Sequence, residues 1–202
     1  MDELERQTAF ISSLNAEHFV LQSAASATVA EASGRTSLYV VTVSGSLVAI
    51  GFSLETDKAF WPLVAAIIPT LFVLGCFTII RLMETSVENQ QLMRNIAQIR
   101  AYYRTLTPEA AGMFSAESGR WPETNKRSAA RFGMFIAICT TAASMIAIVN
   151  SIVAGAGAAL LAYRFLGDRP LVVWSIGATA ALLSLIALFM FQYWSFRDAT
   201  PH

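Results

Sequence analysis

Only two cysteines, Cys76 and Cys139, occur in this chain of 202 residues. Both lie inside apolar stretches, which excludes a disulfide framework or a cysteine-based zinc site as the organising device. Histidine is equally scarce. His18 and His202 have no Cys, Asp or Glu partners at metal-ligand spacing, Glu17 being merely adjacent, so neither a metal nor a cofactor is expected. Charged residues make up 14% of the chain, and 14 basic residues balance 14 acidic ones, which removes any overall pull toward nucleic acid. A Gly-rich phosphate loop, a GxSxG elbow and an HExxH pair are all missing, and no enzyme activity is expected. The start, MDELERQTAF, is acidic and lacks the basic and apolar regions of a cleaved signal peptide.

What the chain does have is apolar length. Hydrophobic residues make up 55%, the mean hydropathy is +0.52, and residues 38–54, 60–80, 133–163 and 171–191 form four stretches without a single charge. At about 1.5 Å per helical residue, the second, third and fourth can cross a hydrocarbon core of about 30 Å. The first is shorter and needs flanking residues to span. The absence of intramembrane charge argues against a proton-coupled carrier. The sequence therefore predicts an all-α, four-span transmembrane helix bundle with a helical cytoplasmic domain.

Basic residues set the expected orientation. Arg81, Arg94, Arg100, Arg104, Arg120, Lys126, Arg127 and Arg131 lie between spans two and three, whereas the two short loops hold only Lys58, Arg164 and Arg169. Lys and Arg near span ends stay in the cytoplasm. The expected plan is a cytoplasmic N-terminal helix over 1–35, a transmembrane hairpin over 36–80, a cytoplasmic helix and connector over 81–132, a second hairpin over 133–191, and a cytoplasmic tail over 192–202. The multi-pass chain would then sit in the inner (plasma) membrane, with both termini cytoplasmic. Trp61, Trp121, Trp174, Tyr163, Tyr193 and Trp194 cluster at the predicted span ends as an interfacial belt.

Two seams mark the cytoplasmic helices. Leu4, Gln7, Ile11, Leu14, His18, Leu21, Ala25, Thr28 and Ala32 follow steps of three and four before the first span. The seam must pack on the second cytoplasmic helix or on copies of itself, and Gly34 offers a place to bend or end the helix. The second seam runs from about Arg81 to Leu106 through Leu82, Leu92, Ile96, Ile99 and Tyr103, with Pro108 as its stop. Residues 107–132 lack a sustained period and read as a connector.

Three features within or beside the spans are candidates for function. Ala143, Ala147, Ser151, Gly155 and Ala159 fall four apart on the third span, and small residues at that spacing allow close helix approach. Together with Asn150 they are expected to form either packing within one subunit or a subunit interface or pore lining. Asn150 needs a polar partner in hydrocarbon. Pro69 should kink span two and leave a carbonyl to be satisfied by a neighbour. On the cytoplasmic side, Arg100 and Arg104 stand one turn apart, with Arg94 elsewhere on the same helix. They are either positive-inside charge against anionic lipid or a surface for a phosphate-bearing ligand.

Over residues 1–106, the order of long N-terminal helix, span hairpin and helix returning to the cytoplasm resembles the SLATT-type membrane effectors of bacterial defence systems. It is also similar to the small channel-forming effectors paired with nucleotidyltransferases, of which the Hailong system is one. This chain has four spans where the SLATT pattern has two. The resemblance implies a self-associating protein whose ion permeability is controlled by a nucleotide or oligonucleotide signal, causing growth arrest or death on infection. The expected partners are the lipid bilayer, further copies in a homo-oligomer, a tetramer, and such a signal. The alternative is a non-conducting scaffold or sensor that docks a cytoplasmic protein.

Overall fold

The structure is a computed structural model describing residues 2–55, 57–114, 141–167 and 169–198. Among these residues every element is a helix, and there is no strand. The helices are α1 (Glu3–Ser53), α2 (Asp57–Tyr103), α3 (Pro108–Met113), α4 (Ala142–Leu166) and α5 (Pro170–Asp198). Four of them, α1, α2, α4 and α5, are long and apolar enough to cross a membrane. The chain is a multi-pass membrane protein of the all-α class.

It divides into two compact units, Met1–Glu31 with Thr85–Gly133, and Ala32–Glu84 with Met134–His202. In the first, the N-terminal part of α1 packs on the C-terminal part of α2. Leu21, Ile96, Ile99 and Tyr103 form the core, with Leu14, Leu92 and Met93 against it. The α1 seam is therefore covered by the second helix of the same chain. Its phase holds from Ile11 to Ala32, while Leu4 and Gln7 are exposed and lie outside it. Thr28 is buried in the seam because its hydroxyl is satisfied, donating to the Ala25 carbonyl at 2.8 Å and lying 3.4 Å from Asn89 Oδ1.

The second unit centres on Tyr39, Ile79, Leu82, Met83, Ala143, Ile146 and Ala147. Its outer surface is apolar: Phe52, Leu161, Phe165, Leu171, Trp174 and Leu183 are all exposed, as side chains facing hydrocarbon must be.

Several boundaries differ from the sequence reading. Gly34 does not end α1, which is helical on both sides of it, since a lone glycine costs only about 1 kcal/mol within a long helix. The second cytoplasmic helix ends at Tyr103, and Pro108 starts α3 instead of stopping its predecessor. Proline suits the first turn, where its missing N–H has no partner in any case, and Thr107 caps that turn by accepting from the Ala110 N–H at 3.2 Å. Residues 133–140 of the expected third span lie outside the described residues. Thr141 is the N-cap of α4, accepting from the Ser144 N–H at 3.2 Å. Gly167 ends α4 at φ 66°, returning its N–H to the Tyr163 carbonyl. Finally, the expected tail over 192–202 begins inside a helix, for α5 continues to Asp198 without a Gly or Pro to break it.

Candidate functional site

Among the described residues of the membrane unit, the buried polar side chain that ties the most distant parts of the sequence together is that of Asn150. It is 0% exposed and joins three helices. Tyr39 of α1 donates its hydroxyl to Asn150 Oδ1 at 3.2 Å, and Asn150 Nδ2 donates to the Phe72 carbonyl of α2 at 3.2 Å and lies 3.5 Å from Cys76 Sγ. Room for the amide comes from Gly75, where an added Cβ would stand 2.9 Å from Nδ2 and overlap the rest of the amide. Asparagine, tyrosine and glycine thus form one unit of packing, which supplies the polar partner the sequence demanded. The amide does not serve the carbonyl freed by Pro69, which belongs to Ala65. Ala65 and Pro69 lie together on an exposed part of α2.

A second polar contact was not anticipated. Gln192, assigned by sequence to a tail, is 0% exposed and accepts from the Ser144 hydroxyl at 2.9 Å. Ser144 is itself buried, in the first turn of α4. Sequence reasoning passed over Gln192 because the charge-free stretch was cut at Phe191. The apolar register, continued one turn further, would have put it on the packed side of α5. Several other span hydroxyls turn back on their own helices: Thr42 donates to the Leu38 carbonyl, Thr70 to Ala66, Thr78 to Leu74 and Ser151 to Ala147.

The small-residue stripe of α4 is consumed inside one chain. Ala143, Ala147, Asn150, Ser151 and Gly155 are buried, and Ala159 is half-buried. A Cβ on Gly155 would lie 2.7 Å from the Ala181 Cβ and 2.8 Å from the Gly177 carbonyl oxygen. One on Gly177 would lie 2.9 Å from the Ala159 Cβ. On another side of α4, Gly157 presses on Ile68 of α2, whose Cγ2 would be 2.7 Å from an added Cβ. Within this one chain the stripe is divided between neighbours: Ala143 and Ala147 pack with Tyr39 of α1 and Ile79 of α2, Asn150 bonds to the same two helices, and Gly155 and Ala159 meet the hairpin partner α5. Two helices joined by so short a loop meet at high effective concentration, so close-packing residues are satisfied there first.

The three arginines do not share a surface. Arg94 and Arg104 are exposed, whereas Arg100 is 8% exposed, turned into the seam of the first unit. Arg104 follows directly on the end of α2, its N–H returning to the Arg100 carbonyl at 3.1 Å, and of the two side chains only that of Arg100 is covered. Among the described residues no group of three His, Cys, Asp or Glu side chains is placed to hold a metal ion.

One further surface escaped the sequence reading. On the side of α1 opposite its buried seam, Ala9, Ser13, Ala16, Val20, Ser23, Ala27 and Ala30 alternate steps of four and three, and all are exposed on the first unit. In the second unit the same register brings Gly34, Ser37, Val41, Ser44, Val48 and Gly51 to an exposed face. A Cβ added at Gly34 or Gly51 would meet nothing within 4 Å. With the buried seam at heptad positions a and d, these residues occupy c and f, the outward face of a helical hairpin. A water-facing helix side is ordinarily charged; from Ala9 onward this register contains only Ala, Ser, Gly and Val. The signal was present as a second heptad series, masked by the greasier one beside it. As a whole, the chain matches no family model, no curated protein and no solved structure.

Proposed function

We propose that this chain is a homo-oligomeric membrane effector whose copies meet along the outward c and f face of α1 and together open an ion path. The observation that carries this reading is the composition of that face. Its residues are small, uncharged and exposed in each unit taken alone, and small residues in register are what allow helix backbones to approach one another. Ser37 and Ser44 add hydroxyls to the part that lies in the membrane unit. A strict seven-residue repeat makes helices supercoil left-handedly around a common axis, the arrangement in which several copies of one helix surround a path. Placement in the bacterial inner membrane with both termini cytoplasmic fits the distribution of basic residues, and the assembly we propose there is a tetramer. A phosphate-bearing signal arriving at the first unit would meet the exposed Arg94 and Arg104.

One observation favours the competing reading of a non-conducting scaffold. Asn150, Ser144 and Gln192 are turned inward and occupied with one another or with Tyr39 and Phe72, so conduction depends on the α1 face alone. Recording from purified protein in planar bilayers separates the two. The effector reading expects unitary currents that a thiol-reactive blocker suppresses in Ser44→Cys and leaves unchanged in Leu182→Cys, on an exposed side of α5. Silent bilayers containing verified, folded protein at every signal concentration tried would establish the scaffold instead.

A further inference from the structure

His18 interrupts an otherwise apolar seam, and its surroundings suit an uncharged ring. The imidazole stacks on Tyr103 of α2, with centroids 6.4 Å apart and planes at 23°. Tyr103 is held in turn by its hydroxyl, which donates to Asn15 Oδ1 at 2.8 Å. Of the two ring nitrogens, Nε2 contacts the Gln22 side-chain amide at 2.8 Å. The other, Nδ1, is buried and has no hydrogen-bond partner among the described residues. A neutral ring tolerates this, because Gln22 can present either end of its amide and Nδ1 can be the unprotonated nitrogen. A protonated ring is a donor at both nitrogens. Whichever way the amide turns, its Nδ1–H then faces the interior of the seam without an acceptor, at a cost of the kind every buried unpaired donor incurs.

Charge acts in the same direction. Arg100, buried on α2, is the cation that acts on His18. Tyr103, also from α2, is a phenol that burial keeps protonated. From α1 the neighbours are the neutral Asn15 and Gln22 and the adjacent, exposed Glu17. Burial first and Arg100 second hold the His18 ring below its ordinary value of 6.5.

We infer that His18 is an acid-sensitive latch in the first unit: taking up a proton releases residues 11–28 of α1 from α2. The sign follows from linkage. The opened hairpin binds the proton more readily than the closed one, so the stability His18 lends the closed form is complete above pH 6.5 and is lost as the pH falls below that value. The latch does not depend on whether the assembled protein conducts.

Hydrogen exchange on the full-length protein in detergent, corrected for intrinsic rates and run from about pH 7.5 to about pH 5, reads the latch directly. In the wild type, peptides covering 11–28 should lose protection below pH 6.5, while peptides of α4 and α5 keep theirs. His18→Gln should remove that pH response. Arg100→Gln, which takes away the repelling cation, should bring the titration of His18 in the closed form up toward 6.5 and so shrink the loss. Should His18→Gln fold poorly, a proton NMR titration of the wild type provides the same test, since the chain has only two histidines and removing His202 assigns them. Protection that is constant with pH in the wild type, a response that survives in His18→Gln, or a His18 ring titrating at or above 6.5 would each overturn the inference.

Discussion

Replacing Asn150 with leucine keeps the branched shape that fits against Gly75 and deletes the polar contacts. Tyr39 is 1% exposed and would lose the acceptor that lies 3.2 Å from its hydroxyl. A buried hydroxyl left without a partner costs about 1–3 kcal/mol. The lost bond from Nδ2 to the Phe72 carbonyl adds less, on the order of 0.6 kcal/mol for an interhelical bond in a membrane, because that carbonyl keeps its own helical partner. Asn150→Leu should therefore destabilise the second unit by roughly 2–3 kcal/mol. Tyr39→Phe alone strands the Oδ1 acceptor and should cost about 1–2 kcal/mol. The double variant should cost clearly less than the two together, because removing both partners leaves no orphan, with a coupling of about 1 kcal/mol. Denaturant unfolding of detergent-solubilised protein followed by circular dichroism measures all four corners of the cycle. Strict additivity would refute the bridge between α1 and α4, as would a neutral Asn150→Leu.

Further outcomes follow from the same geometry. Gly75→Ala drives a methyl into the Asn150 amide and should cost about 1–3 kcal/mol, much of it recovered by Asn150→Ala in the same chain; thermal melts of the three variants check this. Gly155→Leu should lower the melting temperature by forcing α4 from α5, leaving the mass of the surviving oligomer by light scattering at its wild-type value, because that contact is made within each chain. Leu21→Asp puts an unpaired charge into the seam of the first unit and should release α1 there, read as lost exchange protection over 11–28, with α4 unaffected. In intact cells, an impermeant thiol reagent should label Arg169→Cys and spare Glu88→Cys, and the reverse pattern would invert the proposed orientation.

Those features of the fold that depend on composition were legible in the sequence; those that depend on which neighbour arrives first were not. The seam from Ile11 to Ala32 could be read directly, because a three-and-four spacing of apolar residues has only one helical meaning. What covered it could not, since the α2 residues from Leu92 to Tyr103 offer the same kind of surface as a second copy of α1. Asn150 announced its need for a partner through its chemistry, but Tyr39 and Gly75 became that partnership only once α1 and α2 were placed beside α4. Gly155 and Ala159 showed the capacity for close approach without saying to what, and Gly177 and Ala181, a short loop away, took it up. Arg100 lost its place on an exposed surface because burial follows the seam and not the charge. The outward series from Ala9 to Gly51 was hidden for the opposite reason: small residues carry little weight in a hydrophobic pattern, although a face without charge is as informative as one full of leucine.

Disulfide cross-linking between copies along the outward face of α1 tests the central claim most directly. With Cys76 and Cys139 replaced by alanine, single cysteines at Ser23, Ser44 and, as a control, Leu182 would be oxidised in native membranes and resolved by mass. The account predicts covalent dimers for Ser23→Cys and Ser44→Cys and monomer for Leu182→Cys. Monomer at Ser23 and Ser44, with cross-links at Leu182, would place the contact on α5 and contradict it.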